Sequence, residues 1–174
     1  MSLSPHALVH TRNIVANWRA IGALVPGSEA GAVVKANAYG HGAGPVVTAL
    51  HAAGCRTFFL PVINSIPALK DWLALPNMPD YAVHIDTGMN RLGVRMEDVG
   101  ELAALTAHAP PGHIMSHLVD SDDRSQPINE RQLARFTEAA SHFPEAIKSF
   151  SNTGGCFMGR AYGFDVARPG IGLY

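Results

Sequence analysis

Residues 32–42 read AVVKANAYGHG, and this stretch contains the feature that decides the fold of the chain. Three apolar residues, typical of a buried strand, run directly into Lys35, and a loop with two glycines follows. Because a lysine is costly to bury, one at the tip of a core strand either reaches solvent or is placed there for its amine. We therefore predict that AVVKA is a strand that ends at Lys35.

Strand and helix patterns alternate on both sides of this stretch. An amphipathic helix with Thr11 as its N-cap precedes it, and a helix closed by Gly54 follows it. The last long helix carries Asn129 and Gln132 at the spacing of a capping box. The predicted strands are AVVKA, CRTFF, LPVINS, YAVHID, GHIMSH, IKSFSN and DVARPG.

This alternation predicts parallel βαβ units, and so many short strands favour an α/β barrel of the TIM type over an open sheet. No G-x-G-x-x-G motif follows the first strand, which argues against a dinucleotide site. A complete barrel has about 250 residues and eight βα units, whereas this chain has 174. We predict one domain, residues 1–174, shortened by one or two βα units. The missing units belong between Phe59 and Leu60, where CRTFF and LPVINS abut.

Composition narrows the class of protein. Hydrophobic residues make up 47% of the chain and charged residues 16%, which is typical of a globular domain. A net charge of −1 gives no reason to expect nucleic acid or a membrane surface as a partner. Cys55 and Cys156 are too few for a disulfide framework and lack metal-ligand spacing. Without a signal-peptide pattern, the chain is predicted to be cytoplasmic.

Polar residues follow five of the predicted strands. In α/β barrels the chemistry gathers at the C-terminal ends of the strands. Each residue alone has an ordinary structural explanation, such as a turn, a buried histidine or an ion pair. Together they predict a site. The set comprises Lys35, Asn37, Tyr39, His41, Asp86, Arg91, His117, Asn152, Thr153 and Arg168.

The types of these residues indicate a cofactor. A lysine beside an apolar wall loses hydration, its pKa falls, and its neutral amine becomes a nucleophile toward aldehydes. The glycines of NTGG and PGI, at the last two strands, allow close approach of a phosphate. A lysine for an aldehyde and a cradle for a phosphate together predict pyridoxal 5'-phosphate, PLP.

These motifs resemble those of a known family. AVVKANAYGHG resembles the cofactor-lysine signature of alanine racemase, and HIDTGMNRLGV, MSH, SNTGG and ARPGIGLY resemble its later motifs in the same order. The resemblance covers residues 12–174. It implies the N-terminal PLP-binding barrel domain of a racemase that interconverts L-alanine and D-alanine.

The resemblance also implies roles for the catalytic residues. Lys35 would form the internal aldimine with PLP and act as one of two catalytic bases. Arg168 would face the pyridine nitrogen, and His117 would pack beside the ring and link to Arg168. Arg91 would lie near the substrate carboxylate and orient the second base, while Asn152 would steady the group.

Further roles follow from the same resemblance. The phosphate would be held by Tyr39, Thr153 and the backbone of Gly170 and Ile171. His84 stands where some family members carry a modified lysine that supports the arginine corresponding to Arg91, and a neutral histidine only partly replaces that negative charge.

The sequence also departs from the family pattern. The family adds a β-rich domain whose tyrosine is the opposite-face base in the partner subunit, and this sequence ends where the barrel would end. We therefore expect at most slow, one-sided proton exchange. Two alternatives stay open: a PLP-binding protein without turnover, and an inactive fragment or deletion, natural or engineered. Because a shortened barrel exposes strand edges and apolar surface, copies of such a fragment would associate.

Overall fold

The computed structural model describes residues 8–58, 62–76 and 80–174. Its helices are α1 (Thr11–Gly22), α2 (Lys35–Tyr39), α3 (Ala43–Ala52), α4 (Ile66–Leu73), α5 (Val99–Leu105), α6 (Pro127–Ala140) and α7 (Thr153–Phe157). Its strands are β1 (Glu29–Ala30), β2 (Val62–Ile63), β3 (Ala82–Asp86), β4 (Val94–Arg95), β5 (His113–Met115), β6 (Ile147–Ser149) and β7 (Val166–Ala167). Single 3₁₀ turns cover Met96–Asp98, Arg160–Tyr162 and Ile171–Leu173.

The strands pair in parallel and follow one another around a ring. One sheet has the order β2-β3-β5-β6, with β4 on the edge of β3, and β1 pairs with β7. Arg168 N donates to Ser151 O at 2.8 Å, which joins the segments after β7 and β6. On the other side, Ala32 N donates to Thr57 O at 3.0 Å, so residues 55–58 lie next to the segment after β1. Parallel pairing throughout is what βαβ units predict.

The interior of the ring is nearly filled by side chains. A cavity of about 50 Å³ remains, and residues from every part of the ring line it. These residues include Ala32, Thr57, Val62, Ala82, Met115, Ser149 and Val166. The strands therefore enclose a packed core rather than a pore, as in other α/β barrels. In the described ranges, no helix is long and apolar enough to cross a membrane.

Two apolar clusters fix the helices to the ring. In the larger one, the Phe136 ring of α6 stacks on Phe150 with centroids 4.9 Å apart and meets Phe164 edge-on at 4.9 Å. In the smaller one, Ile14 and Ile21 of α1 are buried together with residues of α3 and the C-terminal segment. The recurrence of buried residues on one face is the amphipathic pattern that the sequence shows for α1.

The helix ends agree with the sequence in one case and differ in another. Gly54 follows α3 with φ of 110°, a left-handed conformation that glycine adopts without a Cβ penalty, so the predicted end of this helix is confirmed. The predicted N-cap of α1 is wrong by one residue. The helix begins at Thr11 itself, and His10 is the N-cap with no side-chain hydrogen bond.

The first predicted strand is displaced. β1 is Glu29–Ala30, upstream of AVVKA. Residues 31–33 stay extended, with Gly31 N bonded to Ala167 O at 2.8 Å and Val33 N to Pro169 O at 3.2 Å, but Lys35 is the first residue of α2. Pairing with the segment after β7 decides where β1 lies, and local apolar character does not reveal that distant partner.

Two other strand predictions also change. Residues 55–58 of CRTFF do not form a strand, although Thr57 O accepts a hydrogen bond from Ala32 N. Phe59 and Leu60 lie outside the described residues. β4 was not predicted, because two residues, Val94–Arg95, are too short to show a periodic pattern.

The predicted capping box on α6 is wrong. The helix begins earlier, with Gln126 as N-cap and Pro127 in its first turn. Proline suits that position because its fixed φ is helical and its missing N–H is one of the unpaired donors. Asn129 and Gln132 therefore lie inside the helix, where both are fully buried.

Candidate functional site

A cleft of about 470 Å³ opens at the ends of the strands where β3, β5, β6 and β7 lead into their loops. Every residue to which the resemblance assigns a catalytic or cofactor-binding role lines this cleft. These are Lys35, Tyr39, Arg91, His117, Asn152, Thr153, Arg168, Gly170 and Ile171. The structure thus brings together residues that are widely separated in the sequence.

Lys35 presents its amine to this cleft from the start of α2. Its Nζ lies 5.7 Å from the centroid of the Tyr39 ring, within the range of a cation–π contact. The Lys35 side chain is exposed and at the same time lines the cleft, so its amine is accessible from solvent. The backbone turns back at Asn37, Ala38 and Tyr39, whose φ angles are 55°, 55° and 54°.

Arg168 follows β7 directly, and its guanidinium is anchored on the neighbouring strand ends. Nη1 donates to Ser149 Oγ at 2.6 Å, and Nη2 donates to Ser116 O. Burial lowers the pKa of Arg168 to about 10, so the group stays protonated at neutral pH. A guanidinium has five N–H donors, so further donors are left for a ligand in the cleft.

Two histidines beside Arg168 are held neutral. Burial, and then the positive charge of Arg168, lowers the pKa of both His117 and His84 to about 4. His84 Nδ1 lies 3.1 Å from Asn64 Oδ1, which accepts a hydrogen bond from it in the neutral tautomer that carries the hydrogen on Nδ1. The hydrogen bonds found within the described part of the chain include none between His117 and Arg168. The predicted link between these two residues therefore stays a prediction, and the charge of Arg168 acts on His117 by disfavouring its protonated form.

These two histidines make stability depend on pH. The unfolded chain binds their protons near pH 6.5, whereas the folded chain binds them only near pH 4. The free energy of unfolding therefore keeps the full contribution of these histidines above pH 6.5. It falls as the pH drops toward 4, by at most about 1.4 kcal/mol per pH unit for each histidine. Urea unfolding at several pH values measures this slope. We expect His84→Gln to flatten it and His108→Gln, at an exposed position, to leave it unchanged.

Tyr39 and Thr153 form a cradle with the backbone that follows Arg168. Thr153 Oγ1 accepts from Gly170 N at 2.9 Å and from Gly172 N at 3.3 Å. A Cβ on Gly170 would lie 2.7 Å from Tyr39 Oη, so only glycine allows the phenol to approach. Burial raises the pKa of Tyr39, and its hydroxyl keeps the proton that it can donate to an anion.

The glycines of NTGG have a packing role that the sequence did not predict. A Cβ on Gly154 would lie 2.8 Å from Ser121 Cβ, and one on Gly155 would lie 2.7 Å from Leu118 Cδ1. Both glycines are thus required by packing, and because Gly154 also lines the cleft, its predicted role in the approach of an anion stays a prediction. Asn152 joins the same contact, since its Oδ1 accepts from Gly155 N at 2.9 Å and from Ser121 Oγ at 2.8 Å.

Asp86 and His41 stabilise loops. The Oδ1 atom of Asp86 accepts from the backbone N–H groups of residues 88–90 at 2.9, 2.9 and 3.1 Å, which is turn chemistry. Arg91 follows this turn with an exposed side chain that reaches the cleft. His41 stacks on Tyr174 with centroids 4.8 Å apart.

Several residues of the cleft were not predicted. They include Asn64, Met89, Ser121 and Asp122. Asn64 stands just after β2, so the rule that selected the other strand ends would have found it. Ser121 and Asp122 lie in the loop after β5, and no sequence pattern indicates which way that loop folds.

Comparison with known proteins identifies relatives of this chain. The sequence model of the family "Alanine racemase, N-terminal domain" matches residues 9–64 and 60–174. The alanine racemase of Rhodospirillum rubrum is 38% identical over 212 residues, which covers 92% of this chain and 56% of that protein. The alanine racemase of Rhizobium meliloti is 34% identical over 100% of this chain and 58% of that protein.

A solved structure agrees with this result. The alanine racemase from Bartonella henselae, described with covalently bound pyridoxal phosphate, has 32% sequence identity and a TM-score of 0.88. The match covers 95% of this chain and 62% of that one. The predicted α/β barrel of the TIM type is confirmed.

The extent of these matches supports a shortened barrel. The family model matches in two pieces that overlap at residues 60–64, next to the point between Phe59 and Leu60 where the sequence predicted the missing units. The Rhodospirillum rubrum alignment runs over 212 residues, more than the 174 of this chain, so the relative has residues that this chain lacks. The chain spans about half the length of the curated relatives that it matches. It belongs to the alanine racemase N-terminal domain family.

Proposed function

We propose that this chain binds PLP in the cleft through Lys35 and acts with it on an amino acid, as a shortened alanine racemase. The observation that supports this most strongly is the convergence of Lys35, Tyr39, Thr153 and Arg168 on one cleft of about 470 Å³. A volume of this size is within the range of small-molecule sites. The similarity to alanine racemases over nearly the whole chain points to the same chemistry.

The residues of the cleft fit this cofactor. The Tyr39 and Thr153 hydroxyls provide neutral donors of the kind that hold a phosphate, since Thr153 Oγ1 accepts from Gly170 N and keeps its own proton to donate. Thr153 Oγ1 is already bonded to that backbone and fixes its shape. Lys35, which lines the same cleft, supplies the amine for the aldehyde group.

Within this site PLP, when bound, supplies an electron sink that weakens the Cα–H bond of an attached amino acid. Lys35 is the residue placed to take that proton on its own face of the substrate and to return it. Arg168 donates hydrogen bonds and does not give up a proton at neutral pH, so it would keep a ring nitrogen that faces it unprotonated. That setting weakens the electron sink and favours proton exchange over other PLP reactions.

Other residues hold the substrate and the ring. Arg91 is exposed at the mouth of the cleft and carries the charge that a substrate carboxylate requires. His117 is neutral and can pack beside an aromatic ring without adding a second charge next to Arg168. Asn152 steadies the wall of the cleft through its bonds to Ser121 and Gly155.

We expect proton exchange to be one-sided. The matched family model is that of the N-terminal domain, and in the resemblance the second base comes from another domain. Loss of one general acid–base residue costs about 10²–10⁴-fold in rate. A protein of these 174 residues should therefore exchange the Cα proton from the Lys35 face far faster than it converts L-alanine to D-alanine.

Deuterium exchange tests this proposal. The PLP-loaded chain is incubated in D₂O with L-alanine or D-alanine, and NMR follows loss of the Cα proton while a chiral assay follows inversion. We expect slow exchange with retention in one enantiomer, and no exchange in Lys35→Ala. Racemisation at a rate typical of enzymes would contradict the one-sided mechanism. PLP uptake without exchange would favour a binding protein without turnover.

The extent of the domain and its setting are also proposals. We propose that residues 1–174 form one domain and that the protein works in the cytoplasm, since both cysteines are buried and free. We propose further that copies associate, because Leu92, Val119 and Ile171 expose 52%, 44% and 66% of their surface around the cleft. An inactive fragment would bind no PLP at all.

A further inference from the structure

Helix α6 carries two carboxamide side chains that are fully buried beside the cleft. Asn129 and Gln132 are both 0% exposed, although such residues usually face solvent. Three residues apart, they lie on the same face of the helix. Both bind the segment of residues 117–123, which forms one wall of the cleft.

Gln132 is bonded to this segment on both sides of Leu118. Its Nε2 donates to His117 O at 2.9 Å, and its Oε1 accepts from Val119 N at 3.0 Å. Nε2 also donates to Thr87 Oγ1 at 3.1 Å. The acceptor and both donors of the carboxamide are therefore engaged.

The same hydrogen bonds extend to Arg168. Thr87 Oγ1 lies 2.8 Å from Ser116 Oγ, and Arg168 Nη2 donates to Ser116 O. Asn129 secures the far end of the wall, since its Nδ2 donates to Asp120 O and to Asp123 O, both at 2.9 Å.

This wall needs an anchor because it lies beyond the sheet. β5 ends at Met115, and the last sheet-like bond is that of Ser116 N to Ser149 O at 3.1 Å. The backbone of His117 and Val119 is bonded to Gln132 instead of to a strand. Without Gln132 these groups lose their partners, and a segment with unpaired polar groups gains by moving toward water.

We propose that Gln132 and Asn129 are positioning residues that hold residues 117–123, and with them the His117 ring, in the geometry that the cleft requires. The part of this inference that concerns PLP affinity rests on the proposed function. The part that concerns the position of the His117 ring does not.

Titration of His117 by NMR tests this inference without activity. In the native chain burial and the charge of Arg168 lower the pKa of His117 to about 4. In Gln132→Met, which keeps the length of the side chain and loses its three hydrogen bonds, the released ring gains solvent and its pKa should rise toward 6.5. PLP affinity, measured by absorbance titration, should fall about tenfold.

Controls separate positioning from general loss of stability. Phe136→Leu, on the same helix, should destabilise the chain and leave both the His117 pKa and PLP affinity unchanged. If Gln132→Met does not fold, Asn129→Leu removes the bonds to Asp120 O and Asp123 O at the far end of the wall, introduces no charge, and should raise the His117 pKa by a smaller amount. In the native chain, the Val119 amide should be protected from hydrogen exchange.

The outcomes are distinct. A His117 pKa that stays near 4 in a folded Gln132 variant, or a Val119 amide that exchanges as fast as a free loop, overturns the inference. A shifted His117 pKa with unchanged PLP affinity overturns its cofactor part. If the native chain binds no PLP, the proposed function is wrong, and the titration still decides whether Gln132 positions His117.

Discussion

Lys35→Ala should abolish the visible absorbance band that marks PLP joined to a lysine amine. The chain has three lysines, and among them Lys35 lines the cleft together with Tyr39 and Arg168. Removing the amine removes the covalent bond, while the phosphate cradle keeps weak, reversible binding. Because the side chain is exposed, we expect the stability of the chain to change by less than about 0.5 kcal/mol.

Variants of the other lysines provide the matched control. Lys70→Ala removes an exposed ion pair with Glu101, 2.9 Å long, and Lys148→Ala removes a bond to Pro144 O. Both should keep the band. Lys35→Arg keeps the positive charge and should lose the band, which separates charge from nucleophilicity. Borohydride reduction followed by peptide mapping should find the cofactor on Lys35, and a label on either of the other lysines would contradict the assignment.

Phe136→Ala should lower the free energy of unfolding by about 3–5 kcal/mol. The Phe136 ring is 0% exposed and lies between Phe150 and Phe164, with both centroids at 4.9 Å. Truncation removes apolar area from the core and leaves a cavity among rings that are held by β6 and its neighbours. Urea unfolding followed by circular dichroism measures this loss.

Phe157→Ala is the control for this substitution. Phe157 is 46% exposed, so its removal should cost less than about 1 kcal/mol. Equal losses for the two variants would mean that the cluster around Phe136 is not the main core.

The sequence predicted the strand ends that carry chemistry because a simple local rule applies to them. An apolar run that gives way to a charged or polar residue marks the point where a strand leaves the core, and Asp86 and Arg168 lie at such points. The order of the motifs along the chain in addition indicated the family. Local spacing could not show whether a polar side chain caps its own helix or binds a distant segment. The spacing of Asn129 and Gln132 predicts a capping box, and the structure turns both side chains toward residues 117–123.

What the sequence determined by itself is therefore the alternation of strands and helices, the family and those residues of the cleft that its motifs contain. These depend on periodicity and on motifs, which are properties of neighbouring residues. Only the tertiary structure decided the position of β1, the exposure of Lys35, the packing role of Gly154 and the partners of Gln132. Each of these is set by contacts between segments that are distant along the chain, and side-chain burial and hydrogen-bond pairing arise only when those segments meet.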